Sequence, residues 1–249
     1  MIDIHSHILP ELDDGAIDME CSLEMAEIAV ECGVSEMIAT PHSNQIGRFE
    51  NYASDRLAEK FEALKSELKS EDIQLKLYLG MEVFGTPSVP RLYKEGRLLT
   101  LNNSRYMLIE FDFYEEIIEM ERILYGLMDE GCVPVIAHPE RYYELQNEPY
   151  AIDRWIYDGM AVQVNKGSLL GRFGSSAKYL SHALLAQGNV SCVASDAHSS
   201  FFRTPDMSDI QEYLTMGIQF NDADVLLYDN PKRIINNQPL LRANNKQQF

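Results

Sequence analysis

The sequence predicts an α/β fold, a closed or nearly closed barrel of about seven βα units, and three observations carry that reading. Helix and strand patterns alternate from one end of the chain to the other, which favours a parallel sheet. The rhythm is not interrupted by a linker, a repeat or a low-complexity segment. The length, 249 residues, suits one large α/β barrel with a sizeable core. In such barrels chemistry sits at the carboxyl ends of the strands, so the residues just after each strand are the candidates for function.

Residues 1–4 form the first expected strand, followed by a polar loop in which Asp13-Asp14-Gly15 signals a turn. Asp18 is placed to cap a helix whose apolar positions Met19, Leu23, Ala26 and Val30 recur at helical spacing, with Gly33 as its stop. A short strand over residues 36–40 ends at Pro41-His42. An amphipathic helix is expected over 52–68, with Leu57, Phe61, Leu64 and Leu68 on its buried face. Leu75, Leu77 and Leu79 alternate with polar neighbours as a half-buried strand leading to Gly80-Met81-Glu82. A short helix over 87–96 precedes an apolar strand over 106–111 that contains Glu110. The helix over 115–130 is expected to bury Ile118, Ile123, Leu124 and Leu127, with Gly131 ending it. Strands over 133–137, 160–164 and 190–195 follow, separated by helices over 149–158 and 175–187. Helices over 208–216 and 223–228 come next, then a break at Asp229-Asn230-Pro231. Residues 1–241 read as one domain, and 242–249 as a polar, frayed tail.

The formal net charge is −18, which disfavours nucleic acid and anionic membrane as partners. No apolar run approaches the ~20 residues of a membrane span, and the start of the chain reads as strand, so the cytoplasm is the expected location. Cys21, Cys32, Cys132 and Cys192 are widely spaced in apolar settings and read as buried hydrophobes. Neither a Cys-x5-Arg loop nor a Gly-rich phosphate loop occurs. An acidic protein that takes an anionic substrate needs a local reversal of sign, and bound cations would supply it.

Polar residues recur where the strands end. His5 and His7 close the first strand, and the two-residue period of a strand points them the same way. His42 ends the second strand, Glu82 the third and His138 the fifth, while Glu110 lies near the end of the fourth. Asp196 and His198 end the seventh, and Asp14 sits in the first βα loop. Taken alone, Asp14 is a turn former, Glu110 an outward-facing acid and His138 a strand cap. Together they put five of the six histidines on one rim, with His182 left inside a helix in a structural or exposed role. Mixed imidazole and carboxylate donors suit manganese, iron or zinc, and the set is too large for one ion. Arg141 and Arg203 stand close in sequence to His138 and His198; planar guanidinium groups grip phosphate oxygens, although an ion pair with a surface acid is the plainer reading.

On these residues the chain resembles the polymerase-and-histidinol-phosphatase superfamily. More narrowly, it is similar to the metal-dependent bacterial protein-tyrosine phosphatases of capsule and exopolysaccharide loci. The resemblance rests on residues 1–7, Asp13-Asp14-Gly15, Ala39-Thr40-Pro41-His42, Gly80-Met81-Glu82-Val83, residues 101–111 and 134–142, Gln163-Val164-Asn165, residues 194–198 and Asp229-Asn230-Pro231. It implies a distorted (β/α)7 barrel with a trinuclear metal centre at the carboxyl ends of the strands. His5, His7, Glu82 and Asp196 would hold one metal. Glu82 would bridge to a second, held with Glu110 and His138, and Asp14, His42 and His198 would take a third. The implied cofactor is two or three divalent ions, manganese first and iron or zinc as alternatives. Arg141 and Arg203 would hold the phosphoryl oxygens while a metal-activated water attacks phosphorus. The implied partner is a phosphotyrosine protein, the tail of a tyrosine kinase. Two departures concern the rim: Arg203-Thr204-Pro205 stands where the family often has two prolines after the arginine, and residues 43–50 are not matched to the family pattern. The rivals are a histidinol or other small-molecule phosphatase on the same barrel, a metal-dependent nuclease, which the acidic balance disfavours, and a non-catalytic metal-binding scaffold.

Overall fold

A computed structural model describes residues 1–217 and 223–242. Its core is built from parallel strands in two hydrogen-bonded sheets. The first contains β1 (Ile2–Ser6), β2 (Glu36–Ala39) and β4 (Lys76–Leu79), in that order. The second runs β3 (His42–Ser43), β5 (Glu82–Phe84), β6 (Tyr106–Glu110), β7 (Val133–Ala137), β8 (Ala161–Asn165) and β9 (Cys192–Ala194).

The two sheets are one ring broken part-way up. β3 continues the line of β2 across Thr40-Pro41, where proline has no N–H to give, and β5 continues β4 across Gly80-Met81. Backbone bonds bridge both gaps: Gly80 N–H donates to Ala39 O at 2.9 Å and Glu82 N–H to Pro41 O at 3.1 Å. Counted this way there are seven staves, as the βα rhythm predicts. At the seam, a parallel bridge joins Ser6 to Ala197. His7 N–H donates to Ala197 O at 2.8 Å, and Asp196 N–H to His5 O at 2.9 Å. The buried Asp3 carboxylate adds to this seam by accepting from Ser195 N–H at 3.1 Å and from the Ser195 hydroxyl.

Alternate side chains along the staves enter different cores, as the strand period requires. Ile2, Ile4, Ile38, Leu108, Val135, Ala137, Ala161, Cys192 and Ala194 fill one buried cluster, closed by Ile234 and Ile235. Met37, Met107, Ile109, Ile136, Val162, Val164 and Val193 belong to the other, where they meet the helices. The inward parity of Leu108, Ala161 and Ala194 continues upward as Glu110, Gln163 with Asn165, and Asp196, so an apolar floor gives way to a polar layer.

The helices are α1 (Met19–Glu31), α2 (Asp55–Ser70), α3 (Val89–Lys94), α4 (Ile117–Asp129), α5 (Tyr143–Asn147), α6 (Tyr150–Tyr157), α7 (Lys166–Leu169), α8 (Ser175–Gln187), α9 (Ser208–Gly217) and α10 (Asn230–Ile235). Asp18 caps α1 by accepting from Cys21 N–H at 2.9 Å. Several expectations need correction. The second helix begins at Asp55, because Ser54 is its cap and Tyr52 turns away to donate to Asn44 Oδ1 at 3.1 Å. Ile118 is 60% exposed, and Met120 takes the buried position on α4. The break at Asp229-Asn230-Pro231 is a helical continuation: a π turn, Val225–Asp229, runs into α10. Pro231 lies at the start of α10, directly after the π turn. Asn230 is buried and donates to Ser191 O and Leu241 O, pinning the segment beneath the barrel. Helices α5 and α7 were not expected. Of the expected tail, residues 243–249 lie outside the described residues. Among the described residues, no helix is long and apolar enough to cross a membrane.

Candidate metal centre

Glu82 is the hub of the polar layer. It is fully buried, and its Oε2 lies 3.1 Å from His5 Nε2, 3.1 Å from His7 Nε2 and 3.1 Å from His42 Nδ1. Its Oε1 meets His138 Nε2 at 3.0 Å. Asp196 Oδ1 approaches His5 Nε2 at 3.4 Å and His7 Nε2 at 3.5 Å. The backs of the two N-terminal imidazoles are held. Gln163 uses its amide N–H on Asn165, so its Oε1 accepts from His5 Nδ1–H at 2.8 Å. Asp13 Oδ2 accepts from His7 Nδ1–H at 2.7 Å. Both bonds leave the Nε2 lone pairs facing inward, 3.3 Å apart and against two carboxylates. Only a positive charge satisfies two lone pairs and two carboxylates at that spacing, so the donor set fits a divalent cation. Glu82 Oε2 and His138 Nδ1 are buried without a hydrogen-bond partner, which agrees with that fit.

Three sets of donor atoms lie close enough to share an ion, each within 4.8 Å: His5, His7, Glu82 and Asp196; His7, Asp14, His42 and His198; and His42, Glu82 and Glu110. The first matches the set expected for one metal. The second adds His7 to the expected Asp14, His42 and His198. In the third, His42 Nδ1 stands 2.8 Å from Glu110, and His138 reaches the group through Glu82. The expected residues thus gather at one place, with His7 and His42 shared more widely than the resemblance implies. His182, set apart from the rim, meets Leu169 O and Tyr213 OH.

The electrostatics express the same demand for a cation. Burial opposes a charge on His5, but Glu82 and Asp196 outweigh it and raise its pKa to about 9. His7 and His42 also move upward, against burial, under Asp13, Glu82 and Glu110. Glu82 and Asp196 are held well below the usual carboxylate range by the imidazoles, despite burial. His198 goes the other way: burial and the neighbouring His7 bring it down to about 2. Its Nδ1–H donates to Asp196 O at 3.0 Å, so its Nε2 lone pair points towards Asp14 and Arg203.

A cleft of about 280 Å³ opens onto these groups. Arg141 and Arg203 line it, and both guanidinium groups reach Asp196 Oδ2, Arg141 at 3.6 Å. His138, Asp196 and Arg203 all have left-handed backbone, with φ of 36°, 52° and 56°. Such strain concentrates where geometry serves function. Tyr142 helps to hold it: its hydroxyl donates to Ala137 O at 2.8 Å and accepts from Phe111 N–H at 3.1 Å, tying the end of β7 to the end of β6.

The rim loop over residues 43–50 packs against the cluster. Gln45 donates to Glu110 Oε1 at 2.7 Å, and Phe49 stacks on His42 with ring centroids 5.5 Å apart. Arg48 pairs with Asp14 Oδ2 at 3.0 Å. Sequence reasoning missed these residues, for want of any periodic signal in a loop. Gln163 and Asn165 were missed as well, although they stand two apart at a strand end, as His5 and His7 do. Asn165 Nδ2–H donates to Asp196 Oδ2 at 2.6 Å and orients that carboxylate. Asp13 passed as part of a turn, yet it holds both His7 and the backbone N–H of His42. Asp13→Ala is expected to weaken metal binding by roughly 10–100-fold, as loss of a carboxylate behind a ligating histidine does. Titration of the metal-free protein with manganese checks this, and an unchanged affinity would count against the arrangement.

Fold and site together define a barrel protein with a buried multi-histidine, multi-carboxylate centre at the carboxyl ends of its strands. The chain belongs to the CpsB/CapC family of capsular polysaccharide synthesis, whose model matches residues 1–236. It is 36% identical to the tyrosine-protein phosphatase YwqE of Bacillus subtilis over 243 residues, 97% of this chain and 94% of that protein. It is 30% identical to the tyrosine-protein phosphatase CpsB of Streptococcus agalactiae serotype III, over 95% of this chain and 99% of that one. A solved structure from work on YwqE of Bacillus subtilis and CpsB of Streptococcus pneumoniae, described as unique metal-dependent tyrosine phosphatases, superposes with a TM-score of 0.89 at 36% identity and covers 97% of each chain. A lactonase of Listeria monocytogenes, 12% identical with a TM-score of 0.54 and 94% of each chain covered, shares the fold alone.

Proposed function

We propose that this protein is a metal-dependent protein-tyrosine phosphatase that serves capsule or exopolysaccharide synthesis. The observation that carries the reading is the pair of arginines set over a buried cluster of imidazoles and carboxylates, in a chain whose relatives bear that activity in their names. The proposed ligands are His5, His7, Glu82 and Asp196 for one ion, Glu82, Glu110 and His138 for a second, and Asp14, His42 and His198 for a third. The ions are two or three in number, with manganese first and iron or zinc as alternatives. Such ions supply a water of lowered pKa, towards ~7, and positive charge against phosphoryl oxygens.

The chain's own groups do the rest. Asp13, Gln163 and Asn165 orient His7, His5 and Asp196. Arg141 and Arg203 grip the phosphoryl oxygens and stabilise charge that grows on them. The phenolate of tyrosine, with a pKa of about 10, leaves with little help from a general acid. A thiol mechanism finds no support, because among the described residues no cysteine lines the cleft, and burial pushes Cys132 up to about 12. The substrate in this reading is the tail of a tyrosine kinase. Residues 1–241 would act as one catalytic domain, and the cytoplasm is where such a tail presents its phosphotyrosines.

The test compares a phosphotyrosine peptide with histidinol phosphate on one manganese-loaded sample. Higher kcat/KM on the peptide is expected. Preference for histidinol phosphate would make this a small-molecule phosphatase, and no turnover of any phosphoester would favour a metal-binding scaffold.

A further inference from the structure

Two cations side by side repel, so something must hold Arg141 and Arg203 together at the cleft. Among the described residues Asp196 is the one carboxylate that both reach, and it also faces His5 and His7. An ion bound there draws on the same carboxylate and leaves less of it for the arginines. A second tie is present that carries no charge. The ring of Phe173 lies under both groups: its centroid is 4.5 Å from Arg141 Cζ and 5.7 Å from Arg203 Cζ. Phe113 closes the Arg141 guanidinium from another side at 4.7 Å.

The seat of the ring is built into the chain. Phe173 stands just before Gly174, the N-cap of α8, and its ring packs on Gly167 in α7. A Cβ at Gly167 would come within 2.7 Å of Phe173 Cε2, so only glycine leaves the ring where it is. An aromatic face suits the task for a chemical reason. A carboxylate holds guanidinium by its N–H edge, the edge that phosphate needs. A ring holds it by its plane and leaves the N–H groups free to donate.

We propose that Phe173 is a positioning residue that sets the Arg141 and Arg203 guanidinium groups side by side by their planes, for a single phosphoryl group. The proposal rests on the phosphatase reading above and adds a residue that does not touch the metals. Three variants of the manganese-loaded full chain test it. Phe173→Leu keeps apolar bulk without a π face, Phe173→Tyr keeps the face, and Gly167→Ala displaces the ring. Three quantities are read: manganese content, affinity for inorganic phosphate by calorimetry, and kcat/KM on a phosphotyrosine peptide.

Phe173→Leu is expected to weaken phosphate binding and lower kcat/KM by about ten-fold, the scale of a lost cation–π contact in a partly desolvated site, with manganese content unchanged. Phe173→Tyr should stay near wild type. Gly167→Ala should resemble Phe173→Leu and add little when combined with it, because both remove one contact. Wild-type phosphate affinity in Phe173→Leu would overturn the proposal. So would a Tyr variant no better than Leu, or a fall in manganese content that accounts for the weaker binding. If the wild-type protein fails to hydrolyse the peptide, the phosphatase reading falls, and the calorimetric comparison still decides whether Phe173 holds an anion site.

Discussion

Exhaustive chelation is expected to abolish hydrolysis of a phosphotyrosine peptide, by at least about a thousand-fold, and added manganese to restore it. The sign of the charge at the cleft decides this. The chain carries a formal charge of −18, and Asp14, Glu82, Glu110 and Asp196 concentrate negative charge at the cleft. A phosphate dianion is repelled from such a site unless cations reverse it. Three divalent ions would bring about +6 against about −4 from those carboxylates. Without ions, protons take their place, which is why His5 holds its proton up to about pH 9. Metal and proton then compete for the same Nε2 lone pair. Below about pH 9 an entering ion must displace that proton, so apparent metal affinity falls as pH falls and binding releases protons. Metal analysis, calorimetry in buffers of different ionisation enthalpy, and activity on one sample would measure all of this. Full activity in a sample shown to be free of metal would end the proposal. His5→Ala and His7→Ala should lower occupancy and rate together.

Arg141→Ala and Arg203→Ala are each expected to cost roughly 10²–10³ in kcat, the scale for losing one donor aimed at developing charge. Manganese content should stay near wild type, because neither side chain offers a lone pair to an ion. The Lys variants should recover only part of the rate: they restore charge but lack the planar fork that matches two phosphoryl oxygens. Metal loss in both Ala variants would give a different answer. Both arginines reach Asp196 Oδ2, and such a loss would mean that they serve chiefly to hold that carboxylate in place.

The strand-end residues were legible because a barrel strand imposes two constraints at once. Its period fixes which side chains share a face, and its carboxyl end fixes the height at which they emerge. His5, His7, Glu82, Glu110 and Asp196 obey both rules and meet around Glu82 and Asp196. Ile118 failed because two adjacent isoleucines, Ile117 and Ile118, offer the same hydrophobicity, and only the docking of α4 selects the inward register. The break expected at Pro231 failed because a π turn carries the helical path up to it, and the tertiary contacts of Asn230 hold that path in place.

By itself, the sequence determined the α/β architecture, the seven-stave count and the identity of the residues gathered at one end, since these follow from periodicity and spacing. Tertiary structure alone decided what those residues do to one another. It split the second and third staves at Pro41 and Gly80, brought Asp13 behind His7, laid residues 43–50 over His42, and placed Phe173 beneath two arginines far from each other in sequence. The physical reason is range. Local pattern reports on a side chain's direction from its own backbone, whereas charge, tautomer and stacking depend on partners supplied by the closing of the barrel.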